Sequence, residues 1–343
     1  MPLLEVKRLD TRFKTRKGIV CAVNDVSFSL ERGKTLALVG ESGSGKSVTA
    51  MSVLRLLDEN GYIANGEILF DNGEEILDLA KLPLRKMYDV RGNRISVIFQ
   101  EPMTALNPVF TVEKQLSEPF RMHRKLSKKE AKAEALKMLS AVGIPNPERV
   151  IKQYSHQLSG GMRQRVMIAM ALACRPDVLI ADEPTTALDV TIQAQILQLM
   201  RELQVERETA ILFITHDLGV VNEMADDVAV MYCGQVVERA PVHLIFKDGG
   251  YSHPYTEGLL AAAPSRAKKG ERLEAILGSV PHPLRLPKGC KFAPRCKYRT
   301  EKCMAEEPSL YDVQEGQSVR CFYPKKEERQ SDNHAKLIVR YPS

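Results

Sequence analysis

The sequence lacks tryptophan entirely, and aromatic residues make up only 6% of its 343 residues. It also has no uninterrupted apolar run of about 18 residues, the length that a membrane-spanning helix requires. The longest such run, around Val166 to Cys174, is too short, so any membrane crossing would have to come from other chains. The alternating pattern from Leu4 to Lys7 predicts a strand in place of a secretory signal, and we expect a cytoplasmic protein.

A strong excess of one charge sign is also missing. The 49 Lys and Arg residues exceed the 43 Asp and Glu residues by six, and these charges are spread along the chain. A modest excess of this kind is more typical of a solvated surface than of a nucleic-acid site, so we predict no nucleic-acid partner. The length is sufficient for one large domain with a smaller appendage.

Short apolar runs predict β-strands at 26–30, 35–39, 95–99, 178–181 and 210–215. Helical patterns separate them, which favours an α/β core with mainly parallel strands. Between Pro102 and Gln157 the chain is charged and helical without a buried-strand pattern, and we interpret this region as an inserted helical subdomain. From about Pro241 onward Pro, Gly, Lys and Cys become frequent, which indicates a C-terminal extension.

The segment from Gly40 to Ser47 satisfies the G-x-x-x-x-G-K-[ST] pattern, directly after a predicted strand and at the start of a predicted helix. Glycines in such a loop allow consecutive N–H groups to face a phosphate, and the helix N-terminus adds positive potential. Lys46 is expected to reach the terminal phosphates of a nucleotide, and Ser47 to bind Mg²⁺. The predicted phosphate-binding residues are Ser42, Gly43, Ser44, Gly45, Lys46 and Ser47.

Two carboxylates, Asp182 and Glu183, follow the apolar strand pattern at 178–181. This position would present both acids at the carboxyl end of the sheet, beside the phosphate loop. We predict that Asp182 holds Mg²⁺ directly or through water. Glu183 is the candidate general base for an attacking water molecule.

A second anion site is indicated by Ser159, which precedes Gly160 and Gly161 at the start of a helical pattern. Ser159 is placed to cap the helix, and the glycines leave the first N–H groups accessible. Taken alone, the pattern also fits an ordinary capped helix. Combined with the phosphate loop, the acidic strand end and a later His216, it resembles the ATP-binding-cassette superfamily over roughly residues 3–245.

This resemblance implies roles for further residues. Gln100 would sense Mg²⁺ and the attacking water, and His216 would contact the γ-phosphate. Asp189 would lie in a loop at the interface between two ATPase domains. Phe13 lies where the family places an aromatic ring, more often tyrosine, against adenine. The loop that contains Ser159, Gly160 and Gly161 corresponds to the family's signature loop, which contacts the ATP of the opposite subunit. The resemblance therefore implies a pair of domains that buries two ATP molecules.

Three segments, 40–49, 99–108 and 251–256, look like those of the oligopeptide and dipeptide permease ATPases. The resemblance implies a subunit that energises peptide import at the cytoplasmic face of a membrane. Its implied partners are a second, distinct ATPase subunit, two membrane permeases and an extracytoplasmic peptide-binding protein. Nickel and oligosaccharide importers remain alternatives. Soluble relatives that act on ribosomes or DNA are less well matched, because neither a second cassette nor a long coiled coil is present.

Seven cysteines fall into two groups. Cys21, Cys174 and Cys233 lie among apolar neighbours and are expected to be core residues. The other four are spaced C-x5-C-x6-C-x17-C, and thiolates in this number could hold zinc or an iron–sulfur cluster. Spacing alone does not choose between them, and four unligated, reduced cysteines are a further alternative. The family resemblance implies a [4Fe-4S] cluster. The proposed ligands are Cys290, Cys296, Cys303 and Cys321.

The fold implied by the resemblance is α/β. It comprises a RecA-like parallel sheet core, an antiparallel β subdomain, an inserted helical subdomain at about 101–173 and a small cysteine-bearing extension. The nucleotide-binding domain would cover residues 1–245 and the extension residues 246–343. Basic residues near the cysteines, Arg295 and Lys291 among them, could offset thiolate charge, while His253 and His282 are expected to be surface or loop residues and not ligands.

Overall fold

The computed structural model describes residues 1–101, 105–185, 190–247, 250, 252–263 and 275–324. The strands are β1 Leu4–Thr15, β2 Gly18–Leu30, β3 Thr35–Val39, β4 Gly61–Asp71, β5 Ile76–Asp78, β6 Ile95–Ile98, β7 Val178–Asp182, β8 Ala210–Thr215, β9 Asp227–Tyr232, β10 Gln235–Pro241, β11 Tyr311–Gln314 and β12 Gln317–Val319. The α-helices are α1 Lys46–Val53, α2 Leu84–Val90, α3 Val112–His123, α4 Lys128–Ala141, α5 Pro147–Val150, α6 Gly160–Leu172, α7 Val190–Arg207, α8 Leu218–Met224, α9 Val242–Ile245, α10 Pro254–Ala261 and α11 Glu301–Ala305.

The main sheet has the strand order β11-β12-β10-β9-β3-β8-β7-β6. Strands β9, β3, β8, β7 and β6 are parallel, as the alternation of strand and helix patterns predicts. Every residue of β3, β7 and β8 is buried, which explains their continuous apolar sequences. Because β8 lies beside β3 and β7 beside β8, the carboxyl ends of these parallel strands lie at the same edge of the sheet as the phosphate loop.

An antiparallel sheet of order β2-β1-β4-β5 covers one side of the core. Strand β1 is its centre: Leu4 pairs with Leu30 on one side and with Phe70 on the other, and all three side chains are buried. Gly66 has φ 106°, and a Cβ there would lie 2.7 Å from the carbonyl oxygen of Arg8. Glycine therefore permits the close approach of β4 to the irregular centre of β1.

Helices dominate the region between β6 and β7. Helix α4 begins with a capping box in which Ser127 and Glu130 satisfy each other's backbone N–H groups. Helices α3, α4 and α6 pack through buried apolar residues, including Leu116, Leu139 and Ile168. The helical composition of this region was therefore correctly predicted, whereas the subdomain limits at 101 and 173 stay predictions.

The extension does not stand apart from the core. Its strand β12 pairs antiparallel with β10, at Glu238 with Val319, so the main sheet continues into residues beyond 246. Tyr255 and Phe292 also pack against Tyr232 of β9, with ring centroids 4.7 Å and 5.2 Å from the Tyr232 ring. Strands β11 and β12 are not predicted from the sequence, because each has only three or four residues.

Cysteine and histidine burial differs in part from expectation. Cys174 and Cys233 are buried as predicted, whereas Cys21 is only half-buried. His253 is not a surface residue: it is buried and its Nδ1 accepts a hydrogen bond of 3.0 Å from the Tyr255 N–H at the start of α10. Among the described residues, no helix combines the length and apolarity needed to cross a membrane.

Glu238 ties the extension to the core and is fully buried. Its carboxylate accepts hydrogen bonds of 2.8 Å each from the His253 N–H and from Nε2 of Gln317. Burial raises the pKa of Glu238 from 4.5 to about 6, because the charged form loses hydration. The folded state thus binds this proton more tightly than the unfolded state.

We expect Glu238→Gln to remove a component of the pH dependence of stability. Since the folded pKa is raised, Glu238 contributes stability below pH 4.5 that is lost as pH rises through about 6. At 1.36 kcal/mol per pKa unit, this component is about 2 kcal/mol. Urea unfolding at several pH values between 4.5 and 7 should show a steeper decline for the wild type than for the variant. Parallel profiles would contradict the assignment, and exposed Glu31→Gln serves as the control.

Candidate functional site

The phosphate loop lies between β3 and α1. Gly40, Gly43 and Gly45 have positive φ angles of 154°, 77° and 104°. A Cβ at Gly40 would lie 2.3 Å from the carbonyl oxygen of Met231, and one at Gly45 would lie 2.6 Å from that of Ala22. A Cβ at Gly43 would meet nothing within 4 Å, so at this position only the backbone conformation requires glycine. The glycines are required by backbone conformation and by close packing behind the loop.

Lys46 begins α1 and is 5% exposed, because its side chain folds back into the loop. Its Nζ donates to the carbonyl oxygens of Gly40 and Glu41 at 2.8 Å and 3.0 Å, and Ser44 Oγ lies 3.4 Å away. Burial lowers the pKa of Lys46, and the carboxylates of Glu183 and Asp182 oppose this shift. The ammonium group is thus held by weak acceptors that an incoming phosphate could replace.

Ser47 and Asp182 meet although 135 residues separate them: Ser47 Oγ donates to Asp182 Oδ1 at 3.1 Å. Asp182 is 4% exposed. Burial raises the pKa of Asp182, while the hydrogen bond from Ser47 lowers it. A hydroxyl and a carboxylate are hard oxygen ligands of the kind that Mg²⁺ prefers, and a cation here would favour the charged carboxylate.

Glu183 lies between Gln100 and His216. Gln100 Nε2 donates to Glu183 Oε2 at 3.2 Å, and His216 Nδ1 lies 3.2 Å from Oε1. The backbone of Glu183 has φ 47°, a conformation that non-glycine residues rarely adopt. Its N–H donates to the carbonyl oxygen of Ile214 at 2.9 Å, which holds the residue in place. Gln100 and His216 therefore each contact Glu183, so the three predicted site residues lie together.

The signature segment begins α6. Ser159 is the N-cap, and its Oγ accepts from the Met162 N–H at 3.3 Å. Ser159 and Gly160 are exposed, and a Cβ at Gly160 would meet nothing within 4 Å. Gln164, one turn into the helix, donates to the carbonyl oxygen of Pro184, next to Glu183. The segment thus presents an exposed, serine-capped helix N-terminus at the surface.

Two predicted nucleotide contacts remain predictions. Phe13 is half-buried on β1, and its ring packs so closely on Gly61 that a Cβ there would lie 2.7 Å from Phe13 Cε1. Asp189 lies outside the described residues, as do its neighbours at 186–188.

The four extension cysteines line one cavity, together with the aromatic rings of Phe292 and Tyr298. Burial raises the pKa of three of these thiols, that of Cys296 to about 11 and that of Cys321 to about 12. The Tyr323 N–H donates to Cys321 Sγ at 3.3 Å. Among the described residues, no group of three or more His, Cys, Asp or Glu side chains is arranged to hold a single metal ion.

The basic residues near this cavity have other partners. Lys291 pairs with Glu307 at 2.8 Å, Lys297 pairs with Glu257 at 3.0 Å, and Arg295 pairs with Glu41. The idea that they offset thiolate charge is thus weakened. The cavity instead depends on close backbone packing: a Cβ at Gly289 would lie 2.4 Å from the carbonyl oxygen of Cys303.

Comparison with known proteins decides the family. The family model described as ABC transporter matches residues 23–186, and that described as oligopeptide/dipeptide transporter, C-terminal region, matches residues 237–303. The oligopeptide transport ATP-binding protein AppD of Bacillus subtilis is 51% identical over 321 residues, covering 93% of this chain and 96% of AppD. The chain belongs to the oligopeptide/dipeptide ABC ATPase family.

Other relatives agree. The oligopeptide transport ATP-binding protein OppD of Haemophilus influenzae is 50% identical over 94% of this chain and 97% of its own length. Among solved structures, the dimeric ATP-binding cassette MJ0796 in a post-hydrolysis state bound to ADP and Pi has a TM-score of 0.62 and 27% identity, covering 70% of this chain and 98% of that chain. This ABC ATPase accordingly has the cassette fold, with parallel and antiparallel sheets, and an ATP-hydrolysing site.

Sequence reasoning missed one contact of this ABC ATPase. Arg295 reaches the phosphate loop at Glu41, across 254 residues of chain. From the sequence, its position beside Cys296 indicates only a charge near the thiols. No local signal in the sequence could have identified the partner, because the pairing depends on how the extension packs on the core.

Proposed function

We propose that this chain binds Mg²⁺ and ATP in the phosphate loop and hydrolyses ATP to energise an importer of di- and oligopeptides. The observation that carries the proposal is the carboxylate of Glu183, which contacts both Gln100 and His216 beside the Ser47–Asp182 pair. The peptide assignment is supported by relatives named as oligopeptide transport ATP-binding proteins. Nickel or oligosaccharide import, and action on ribosomes or DNA, are not favoured by these relatives.

The residues divide into binding and catalytic roles. Lys46 and the loop N–H groups bind the phosphates, and Ser47, Asp182 and Gln100 supply oxygen atoms that fit Mg²⁺. When bound, the cation would neutralise charge on the phosphate oxygens. Glu183 accepts a proton from the attacking water, and Gln100 and His216 orient Glu183 and the γ-phosphate.

Hydrolysis is proposed to require two ATPase subunits. Ser159 and Gly160 are exposed at a helix N-terminus, which supports contact with ATP held by a second subunit. Gly161 and Asp189 are proposed to take part in the same contact. The similarity to the dimeric MJ0796 cassette supports this arrangement. Phe13 is proposed to contact adenine. We further propose that the second subunit is a distinct homologue.

The remaining partners are two membrane permeases and an extracytoplasmic peptide-binding protein, with this subunit attached peripherally at the cytoplasmic face. A groove between the core and the helical region supports contact with a permease. It is lined by Phe99, Leu106, Pro119, Met122 and Met167, among others. Phe99 and Met122 are 38% and 62% exposed, so an apolar segment of a permease could cover them.

We also propose that the four cysteines hold a [4Fe-4S] cluster. The donor set fits this group, because four thiols share one cavity and the Tyr323 N–H contacts a sulfur, as is common around iron–sulfur sites. Zinc, with bonds of about 2.3 Å, would draw four sulfurs closely around one ion. A [4Fe-4S] cluster has several atoms and would hold the four sulfurs further apart, so iron, sulfide and zinc analysis distinguishes the two. Residues 246–343 would then form a cluster-bearing extension of the domain at 1–245.

The test of the transport assignment is to purify tagged Glu183→Gln protein with ATP from detergent-solubilised membranes of the native host. We expect two permease chains, a second ATPase and a peptide-binding protein to be retained. The same purification without ATP is the control for nucleotide-dependent partners. Ribosomal or DNA-associated partners would overturn the transport assignment, and a nickel- or sugar-binding protein would overturn the cargo.

A further inference from the structure

The extension contacts the phosphate loop through an ion pair between Arg295 and Glu41. Nη1 of Arg295 lies 2.5 Å from Glu41 Oε2, and Nη2 lies 3.0 Å from Oε1. The side chain of Arg295 is 4% exposed and that of Glu41 is 30% exposed. A two-point arginine–carboxylate contact with so little solvent fixes orientation as well as distance.

A second residue of the extension holds the same loop position. The backbone N–H of Glu41 donates to the hydroxyl oxygen of Tyr255 at 2.7 Å, and Tyr255 is fully buried. The carbonyl oxygen of Glu41 accepts from Lys46. The N–H, carbonyl and carboxylate of this residue therefore all have partners, two of them supplied by residues beyond 246.

Arg295 is itself rigidly placed. It ends the 3₁₀ turn Ala293–Arg295, directly before Cys296, and its guanidinium lies 5.8 Å from the Tyr232 ring centre and 6.0 Å from that of Phe292. Its Nε donates to the carbonyl oxygen of Leu277 at 3.1 Å. A group with this many fixed contacts can transmit the position of the extension to the loop.

We propose that Arg295 is a positioning residue for the phosphate loop, through which the extension sets the nucleotide affinity of the ATPase site. The loop binds phosphate only when its N–H groups face inward, so a loop already held in that shape loses less entropy on binding. The inference rests on the proposed nucleotide site but not on peptide transport or on the content of the cysteine cavity.

The charges of the pair give a distinctive pattern of effects. Both Arg295→Gln and Glu41→Gln release the loop from the extension. Arg295→Gln leaves the negative Glu41 carboxylate without its partner, which repels phosphate, whereas Glu41→Gln leaves the positive Arg295 guanidinium, which attracts it. We expect the Kd for MgADP to rise about tenfold in Arg295→Gln and about threefold in Glu41→Gln. The double variant should lie between them, and Arg295→Lys, which keeps the charge but not the two-point contact, should recover part of the affinity.

The experiment is titration calorimetry with MgADP on the whole chain, combined with amide hydrogen exchange of residues 37–45. Exchange in this segment should be faster in Arg295→Gln than in the wild type. Lys291→Gln is the matched control, because it breaks another ion pair of the extension, with Glu307, that does not contact the loop. ADP is used because its binding does not depend on Glu183.

Coupling between the sites is reciprocal. MgADP should therefore slow amide exchange at 292–298 in the wild type and have little effect there in Arg295→Gln. The inference is overturned if folded Arg295→Gln binds MgADP within twofold of the wild type with unchanged loop exchange, or if Lys291→Gln has the same effect. If Arg295→Gln does not fold, Glu41→Gln tests the inference by the same two measurements, MgADP binding and amide exchange of the loop, because Glu41 is only half-buried. A wild-type chain that does not bind MgADP would instead refute the nucleotide site.

Discussion

Replacing Glu183 with glutamine is expected to lower kcat for ATP hydrolysis by about 100- to 10,000-fold while leaving ATP bound. The amide has nearly the same size as the carboxylate and can keep the contacts with Gln100 and His216. It cannot accept a proton from the attacking water. The phosphate loop is untouched, so we expect the Kd for ATP to change less than threefold. Phosphate release and ATP binding are the measurements.

Glu208→Gln is a suitable control for this variant. Glu208 also has a positive φ, 53°, but its carbonyl oxygen pairs with the Gly33 N–H, away from the phosphate loop. It should retain full activity. A Glu183→Gln protein that kept more than a tenth of the wild-type kcat would refute the general-base role. Because the backbone at Glu183 is unusual, equal melting temperatures should confirm that both variants are folded.

Replacing Cys296 with serine is expected to remove most of the iron and acid-labile sulfide from anaerobically purified protein. Four cysteines complete the proposed ligand set, and serine is a poor substitute for a thiolate at iron. Metal binding also contributes to folding, so the melting temperature should fall by several degrees. Iron, sulfide and zinc analysis, together with the visible absorption spectrum, are the measurements.

Cys21→Ser is the control, since Cys21 lies on β2 and its thiol donates to the carbonyl oxygen of Val23 at 3.3 Å, a bond that a hydroxyl can also form. This variant should keep its iron. Stoichiometric zinc in the wild-type protein would overturn the cluster in favour of the alternative metal. Protein without either metal would leave four reduced thiols, and burial raises the pKa values of Cys296 and Cys321 among them, which keeps these two protonated at neutral pH.

The site residues that follow sequence motifs could be predicted without a structure. The phosphate loop at Gly40 to Ser47 follows a strand and begins a helix because glycine spacing and an apolar run are local properties. The same holds for the two carboxylates at the end of β7, Asp182 and Glu183, and for the serine cap of α6. That these segments meet depends on the parallel order β3, β8, β7, which the alternation of strands and helices favours but does not specify.

Other features of the fold could not be predicted from the sequence. Strands β11 and β12 are too short to show a period, and their pairing with β10 depends on tertiary packing. His253 and Glu238 are polar residues whose burial is possible only because each has partners distant in sequence. A single sequence offers no indication of such partners.

By itself, the sequence determined the family, the α/β core and the chemical identity of the nucleotide site, because each rests on residue types at short, fixed spacings. Only the tertiary structure decided that Gln100 and His216 contact Glu183 and that Arg295 of the extension holds Glu41 in the phosphate loop. The physical reason is distance along the chain. Ion pairs and hydrogen bonds between residues tens to hundreds of positions apart form only where packing of the apolar core brings their backbones together.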